Sequence, residues 1–386
     1  MDITRTAYGT WNGGRFMNYG EPLPDERWIS VVQHAYRQGI RTFMTADVYG
    51  AGAADELLGR ALAGLPRDSY CLVGAVGHDF YKGQRQGSKG FPRFSDPALR
   101  SPREYKDYLR MATEKSLQRC GVAKFDVLLL HNPDSTGYGS DAVWTGMDSL
   151  REAKLTERIG IAPGPANGFT LDMILSFERF GSLIDWAMII LNPFEPWPGS
   201  LVLPAAKEQN INLITRVVDF GGIFHDDVKP GHQFAAQDHR AFRPAGWVEA
   251  AQDKLKQLRP FCEKYGVTPL QLACLWNLSQ QPVKSVIPTL MQEVAPAKKT
   301  IESKVDELAA LPDKVLSEED IERIAHIGNN KGCMALKGAN RAHTTTAEAD
   351  KWSMSNDLEL IGKRWGIDPD RDLAYTHAEP TAARSA

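Results

Sequence analysis

Thr45-Ala46-Asp47-Val48-Tyr49-Gly50 and Leu128-Leu129-Leu130-His131-Asn132-Pro133-Asp134 decide how this chain is read. Each closes a strand-like apolar run, Ile40–Met44 in the first case and Phe125–Leu130 in the second, and each turns polar abruptly. In parallel α/β sheets, strand ends of this kind carry chemistry. Tyr49 and His131 are therefore the candidate acid/base pair.

Outward from these two stretches, short β-like runs alternate with amphipathic helical stretches. Strands are expected at Arg41–Ala46, Tyr70–Val76, Asp126–His131, Arg158–Ala162, Ile184–Leu191, Ile211–Val217 and Val283–Ile287, after a first segment ending in Gly9-Thr10-Trp11. Helices are expected between them, the last near Lys298–Leu311 and Ser317–Ile327. Repeated β-α units without strand pairs call for a parallel sheet, and eight of them for a closed (β/α)8 TIM barrel. Long loops at 78–100 and 220–244 fall on its C-terminal face. The expected division is a catalytic barrel over 1–328 and a polar C-terminal extension over 329–386, with one helix at Asn356–Trp365. The extension reads as a lid or a subunit contact, its end disordered, and a homo-oligomer through it is one expectation.

Composition narrows the function. At 386 residues with 42% hydrophobic content, the chain has ample material for a large core. A net charge of -3 supplies no basic field for nucleic acid or an anionic membrane surface. Five scattered cysteines without a C-x-x-C pair read as reduced thiols, so the expected location is cytoplasmic. No window approaches a membrane span, and the start lacks the apolar core of a signal peptide.

Several stretches, taken together, resemble the aldo-keto reductase superfamily. They are Gly9-Thr10-Trp11, Thr45–Gly50 followed by Glu56-Leu57-Leu58-Gly59, His131-x-Pro133-Asp134, Arg158–Ile161, Leu191-Asn192-Pro193, Gly222-Ile223-Phe224 and Val286-Ile287-Pro288. The resemblance implies a (β/α)8 barrel, an NAD(P)H cofactor held without a Rossmann fingerprint, and carbonyl reduction by an Asp, Tyr, Lys and His tetrad. Tyr49 and His131 match two of the four.

The departures concern the other two. The tetrad aspartate position is Met44 and the lysine position is Ala75, while Asp47 falls at a variable position. Losing both is physically coherent, because a buried lysine without its carboxylate is an uncompensated charge, whereas an apolar pair is nearly neutral. Without the ammonium, the phenol of Tyr49 loses the influence that lowers its pKa from about 10. The family's carboxamide anchors read Ala162-Pro163 and Met188, and the phosphate loop offers Thr289 and the later Lys298 and Lys299. Asn192, Thr289 and Lys298 are the residues left to hold a cofactor, so the cofactor is none or NADP(H).

Trp11, Asp47, His78, Tyr81, Arg216 and Asp219 are candidate substrate contacts. Arg216 and Asp219 end the seventh strand, either orienting a polar substrate or forming an internal ion pair. His78 and Tyr81 belong to a basic, aromatic loop that reads as a lid or a solvated surface loop. His225, Asp226, Asp227, His232 and His239 fit no metal-ligand spacing and read as exposed loop residues, so no metal is expected.

Three functions stay open. The first is proton-transfer chemistry by Tyr49 and His131 on a small oxygenated, carbonyl- or sugar-like substrate: elimination, hydration or isomerisation without net redox. The second is an NAD(P)H oxidoreductase in which Asp47, Lys82 or Arg216 replaces lost groups. The third is a non-catalytic, reductase-like binding subunit.

Overall fold

The computed structural model describes residues 1–86, 90–164, 169–235, 237–243, 245–294, 299–331 and 354–373. Eight parallel strands follow one another around a single sheet in chain order. They are β1 (Ala7–Gly9), β2 (Thr42–Met44), β3 (Cys71–Val76), β4 (Phe125–His131), β5 (Thr156–Ala162), β6 (Trp186–Ile190), β7 (Asn212–Arg216) and β8 (Val283–Ile287). A parallel bridge from Thr6 to Val286 brings the last strand back to the first, which makes the (β/α)8 barrel.

The helices between them are α1 (Asp25–Arg37), α2 (Ala53–Leu62), α3 (Tyr105–Cys120), α4 (Ser135–Gly139), α5 (Asp141–Glu152), α6 (Phe169–Phe180), α7 (Leu203–Glu208), α8 (Trp247–Tyr265), α9 (Pro269–Leu278), α10 (Ile301–Ala309) and α11 (Glu318–Gly328). Their ends follow local chemistry. Asp25 and Glu26 open α1 and His34 and Arg37 close it, which suits the helix dipole. Thr268 and Gln271 form a capping box with Pro269 at the first position of α9. α4 was not expected from the sequence; Asp134 caps it by accepting from the Gly137 N–H.

Strand alternation divides the core in two. On β4, Leu128 and Leu130 face the helices, while Val127 and Leu129 join a separate interior cluster with Met44, Val73, Ala75, Met188 and Ile214. Each fully buried residue of this size stabilises the fold by roughly 1.5–3 kcal/mol. The same period of two turns Met44 on β2, Ala46 just beyond its end, and Cys71, Val73 and Ala75 on β3 toward the barrel axis. His131, two residues beyond Leu129, therefore points into the mouth.

Beyond the barrel, a helix at Asn356–Trp365 forms where the sequence predicts it. The Trp365 indole donates to Glu178 Oε1 (2.8 Å), with Arg364 paired to the same carboxylate. The Trp197 indole donates to the Asp372 carbonyl (2.5 Å). These contacts seat the described part of the extension on α6 and the β6 loop. The end of the chain expected to be disordered, 374–386, lies outside the described residues. Among the described residues no helix is long and apolar enough to cross a membrane.

Candidate active site

At the C-terminal mouth of the barrel lies a cavity of ≈ 590 Å³, open solvent at its mouth included. That suits a small ligand. Met44, Ala75, Leu129, Ala162 and Met188 form its apolar lining. Trp11, Tyr19, Tyr49, His131, Arg216 and Thr289 supply the polar and aromatic groups. Tyr49 and His131 meet edge to face, ring centroids 5.6 Å apart, and Trp11 stands edge-on to Tyr49 at 6.4 Å.

The turn that presents Tyr49 is built on Asp55. Its carboxylate accepts from Thr45 Oγ1 (2.7 Å), Ser116 Oγ (2.7 Å) and Arg119 Nη2 (3.1 Å), tying the end of β2 to α3. The chain then reverses through Gly50 (φ 60), Ala51 (φ 52) and Gly52 (φ 102). Asn132 takes φ 46 directly after His131, a conformation asparagine tolerates, and its N–H donates to the Ala162 carbonyl (2.7 Å).

Burial sets the protonation states. The Tyr49 phenol is pushed up to about 12 by burial, with the Arg216 charge pulling the other way. Burial, helped by His78, Arg216 and Arg93, holds the His131 imidazole well below its usual range. At neutral pH the pair is thus a protonated phenol and an uncharged imidazole. His131 Nδ1 has no hydrogen-bond partner.

The remaining candidates separate into two groups. Trp11, Arg216 and Thr289 line the cavity with the pair. His78 touches His131 edge-on at 5.3 Å, but its ring nitrogens lie against Phe91, Arg93 and Asn132, and burial pushes its imidazole down to about 3. Tyr81 stacks on Phe80 and accepts from Arg119 Nη2 (3.2 Å), away from the cavity. Asp47 is fully buried, neither carboxylate oxygen has a partner, and burial raises it well above the carboxylate range.

Arg216 and Asp219, neighbours in sequence, do not form an ion pair. Asp219 accepts from the Gly222 N–H (3.0 Å) and the Thr289 N–H (2.7 Å), holding the β7 and β8 loops together. Asn192 is buried and donates to the Val217 carbonyl (2.9 Å). Lys298 lies outside the described residues. Of the loop residues expected to be exposed, two are inside: His225 is fully buried against the Thr289 carbonyl (2.9 Å), and Asp227 pairs with Lys304 (2.7 Å), while Asp226 and His232 are partly buried and His239 is exposed. The first part of this loop, through Val228, packs back on the barrel, which its polar composition did not reveal.

Sequence reasoning missed Met17 and Tyr19, both on the cavity wall. They sit in an irregular Gly-rich segment after β1, where no periodicity marks a facing direction. It also missed Val217, a β-branched residue at φ 60 on the cavity wall; backbone strain of this kind gathers at functional sites.

A barrel with its polar groups gathered at the C-terminal mouth defines the class, a (β/α)8 enzyme fold. The chain belongs to the aldo/keto reductase family, whose model matches residues 6–329. It is 26% identical over 330 residues to a probable aldo-keto reductase 1 of Glycine max, spanning 84% of this chain and 85% of that protein. It is 23% identical over 310 residues to a probable voltage-gated potassium channel subunit beta of Arabidopsis thaliana, spanning 74% and 83%. In fold it is similar to a glycerol dehydrogenase of Gluconobacter oxydans, with a TM-score of 0.66, 22% identity, and 92% and 96% of the two chains covered.

The family implies a nicotinamide cofactor, and the wall chemistry tests the fit. Ala162 and Met188, which the resemblance sets at the family's carboxamide anchors, line the cavity with apolar side chains, and the Pro163 carbonyl already accepts from Arg216 Nη2 (2.7 Å). Around the β8 loop, Lys299 pairs with Glu307, Lys304 with Asp227, and Arg240 with Asp238 and Glu293. Among the described residues, the groups present do not fit a nicotinamide in the family's manner.

Proposed function

We propose that this chain catalyses proton transfer on a small oxygenated substrate in the barrel mouth, by isomerisation, elimination or hydration, without net redox. One observation carries the reading: Tyr49 and His131 are in ring contact in a cavity whose wall holds Met44 and Ala75 where the family's charged pair would stand. The uncharged imidazole takes a proton from a carbon beside a carbonyl. The C–H electron pair becomes the carbon–carbon double bond, and the carbonyl oxygen takes its proton from the Tyr49 phenol. In an isomerisation the imidazolium returns its proton to the former carbonyl carbon while the phenolate takes the proton of the hydroxyl on the first carbon, which becomes the new carbonyl. In an elimination the imidazolium protonates a hydroxyl on the next carbon, which leaves as water, while the phenolate takes back the enol proton. Before substrate binds, the Arg216 charge draws the Tyr49 phenol down against burial.

In the same reading, 1–328 is the catalytic barrel, 329–386 is a docking or pairing extension, and the protein works in the cytoplasm. The test is solvent-deuterium incorporation into a panel of hydroxy-aldehydes, ketoses and sugar acids, followed by proton NMR. If Tyr49→Phe and His131→Ala both leave exchange intact, the assignment is wrong.

A second reading is NAD(P)H-dependent carbonyl reduction. It is supported by family membership and by Arg216, whose charge bears on the Tyr49 phenol. Titration with NADPH and NADH, read by tryptophan fluorescence with Trp11 on the cavity wall, separates the two. Micromolar binding moves reduction to the front, and no binding at millimolar cofactor removes it. The potassium-channel-subunit relative supports a third reading, a binding subunit without turnover.

A further inference from the structure

We infer that the ligand of the barrel-mouth cavity carries a carboxylate and that Arg216 is the residue that holds it. The inference rests on taking this cavity as the substrate site, and it names the substrate class.

The first argument is a charge count. Among the described residues lining the cavity, Arg216 is the only Lys, Arg, Asp or Glu. Four other cations drawn into the fold have carboxylates: Arg100 pairs with Asp79, Arg119 with Asp55, Arg240 with Asp238 and Glu293, and Lys304 with Asp227, whereas Arg243, which does not line the cavity, lies over the Phe220 and Trp247 rings. Arg216 makes one hydrogen bond, from Nη2 to the Pro163 carbonyl (2.7 Å), and Nε is buried without a partner. A guanidinium has five N–H donors, so most of its capacity is open. A cation drawn out of water without a counter-charge is strained electrostatically, and an arriving anion relieves that strain. Burial accordingly lowers the Arg216 pKa, against Tyr49, Tyr19, Tyr138 and Glu195, which raise it.

The second argument is placement. Arg216 follows the inward-facing Ile214 by two residues on β7, so strand alternation points it at the axis. The chain turns sharply at Val217 (φ 60), and Asn192 pins that turn through the Val217 carbonyl (2.9 Å). Arg216 lines both the main cavity and a second, apolar one lined by Phe169, Met173, Ile189 and Val202.

The third argument is shape. A guanidinium presents a planar fork that a carboxylate matches with two parallel hydrogen bonds. One cation on the wall balances a monoanion; a phosphate dianion would leave a charge unmatched. The ligand is thus a small hydroxy- or oxo-carboxylate, its acid group on Arg216 and its oxygenated carbons beside Tyr49 and His131.

The experiment titrates the protein with D-gluconate and D-glycerate, and with their neutral counterparts sorbitol and glycerol, reading tryptophan fluorescence. At least one acid should bind about tenfold or more tighter than its alcohol. Arg216→Gln should abolish that preference, and Arg216→Lys should keep part of it. The comparison within the wild-type protein stands even if a variant fails to fold. Equal binding of acid and alcohol, no binding of any probe up to tens of millimolar, or a preference that survives Arg216→Gln would overturn the inference. So would NADPH binding that depends on Arg216 in a protein that binds neither acid, which assigns the site to a cofactor phosphate. Arg216-dependent acid binding without deuterium exchange supports the inference while counting against the proton-transfer reading.

Discussion

Tyr49 and His131 approach with ring planes at 89° and centroids 5.6 Å apart, one closing the turn after β2 and the other ending β4. The two strands are not neighbours in the sheet, since β3 lies between them. Their side chains meet at the cavity wall, which Ala75 of the intervening strand also lines.

If that contact is the catalytic unit, removing either member should cost proton transfer and little else. Tyr49→Phe and His131→Ala should each slow solvent-deuterium exchange by about 10²-fold or more. Their melting temperatures should stay close to that of the parent, as measured by circular dichroism. Loss of exchange together with loss of fold would remove the distinction.

Met44 and Ala75 are both nearly fully buried (3% and 4% exposed) beside the pair. Ala75→Lys alone should destabilise the protein by about 3 kcal/mol or more, because the ammonium would have no carboxylate partner. Adding Met44→Asp should recover much of that loss. Denaturant titration of the two single variants and the double variant reads the coupling directly.

Asp55 holds the Tyr49 turn by accepting from three side chains, Thr45, Ser116 and Arg119, the last through both Nε and Nη2. Asp55→Ala should cost about 3 kcal/mol, since it leaves the half-buried Arg119 without its counter-charge. Asp55→Asn, which keeps an acceptor, should cost less. Urea unfolding followed by tryptophan fluorescence checks both.

Asp172 on α6 is buried, one of its oxygens has no partner, and burial raises its pKa to about 7. In the unfolded chain an aspartate titrates at about 3.9. Between these values the unfolded chain releases a proton that the folded chain keeps. Stability therefore falls as pH rises through this window, by up to about 1.4 kcal/mol per pH unit, and levels off above it. Asp172→Asn should remove that slope. Melting temperatures of both proteins at pH 5 and pH 8 test the sign.

The number of β-α units, their order and the strand that carries each candidate could be read along the chain. Those properties follow from local rules: alternation within a strand, helical periodicity, and proline, glycine and capping residues between them. Tyr49 and His131 were legible for the same reason, as polar residues ending apolar runs. Folding alone settled how distant groups pair. It gave Asp55 three donor side chains, left Asp47 without any, and parted Asp219 from Arg216. It also drew Met17 and Tyr19 out of an unpatterned loop onto the cavity wall. Protonation belongs to the same level, because a pKa is set by burial and by charges from other strands. Closure of the barrel is what turns Arg216, the residue ending β7, into the one Lys or Arg among the described residues of the cavity wall that Tyr49 and His131 share.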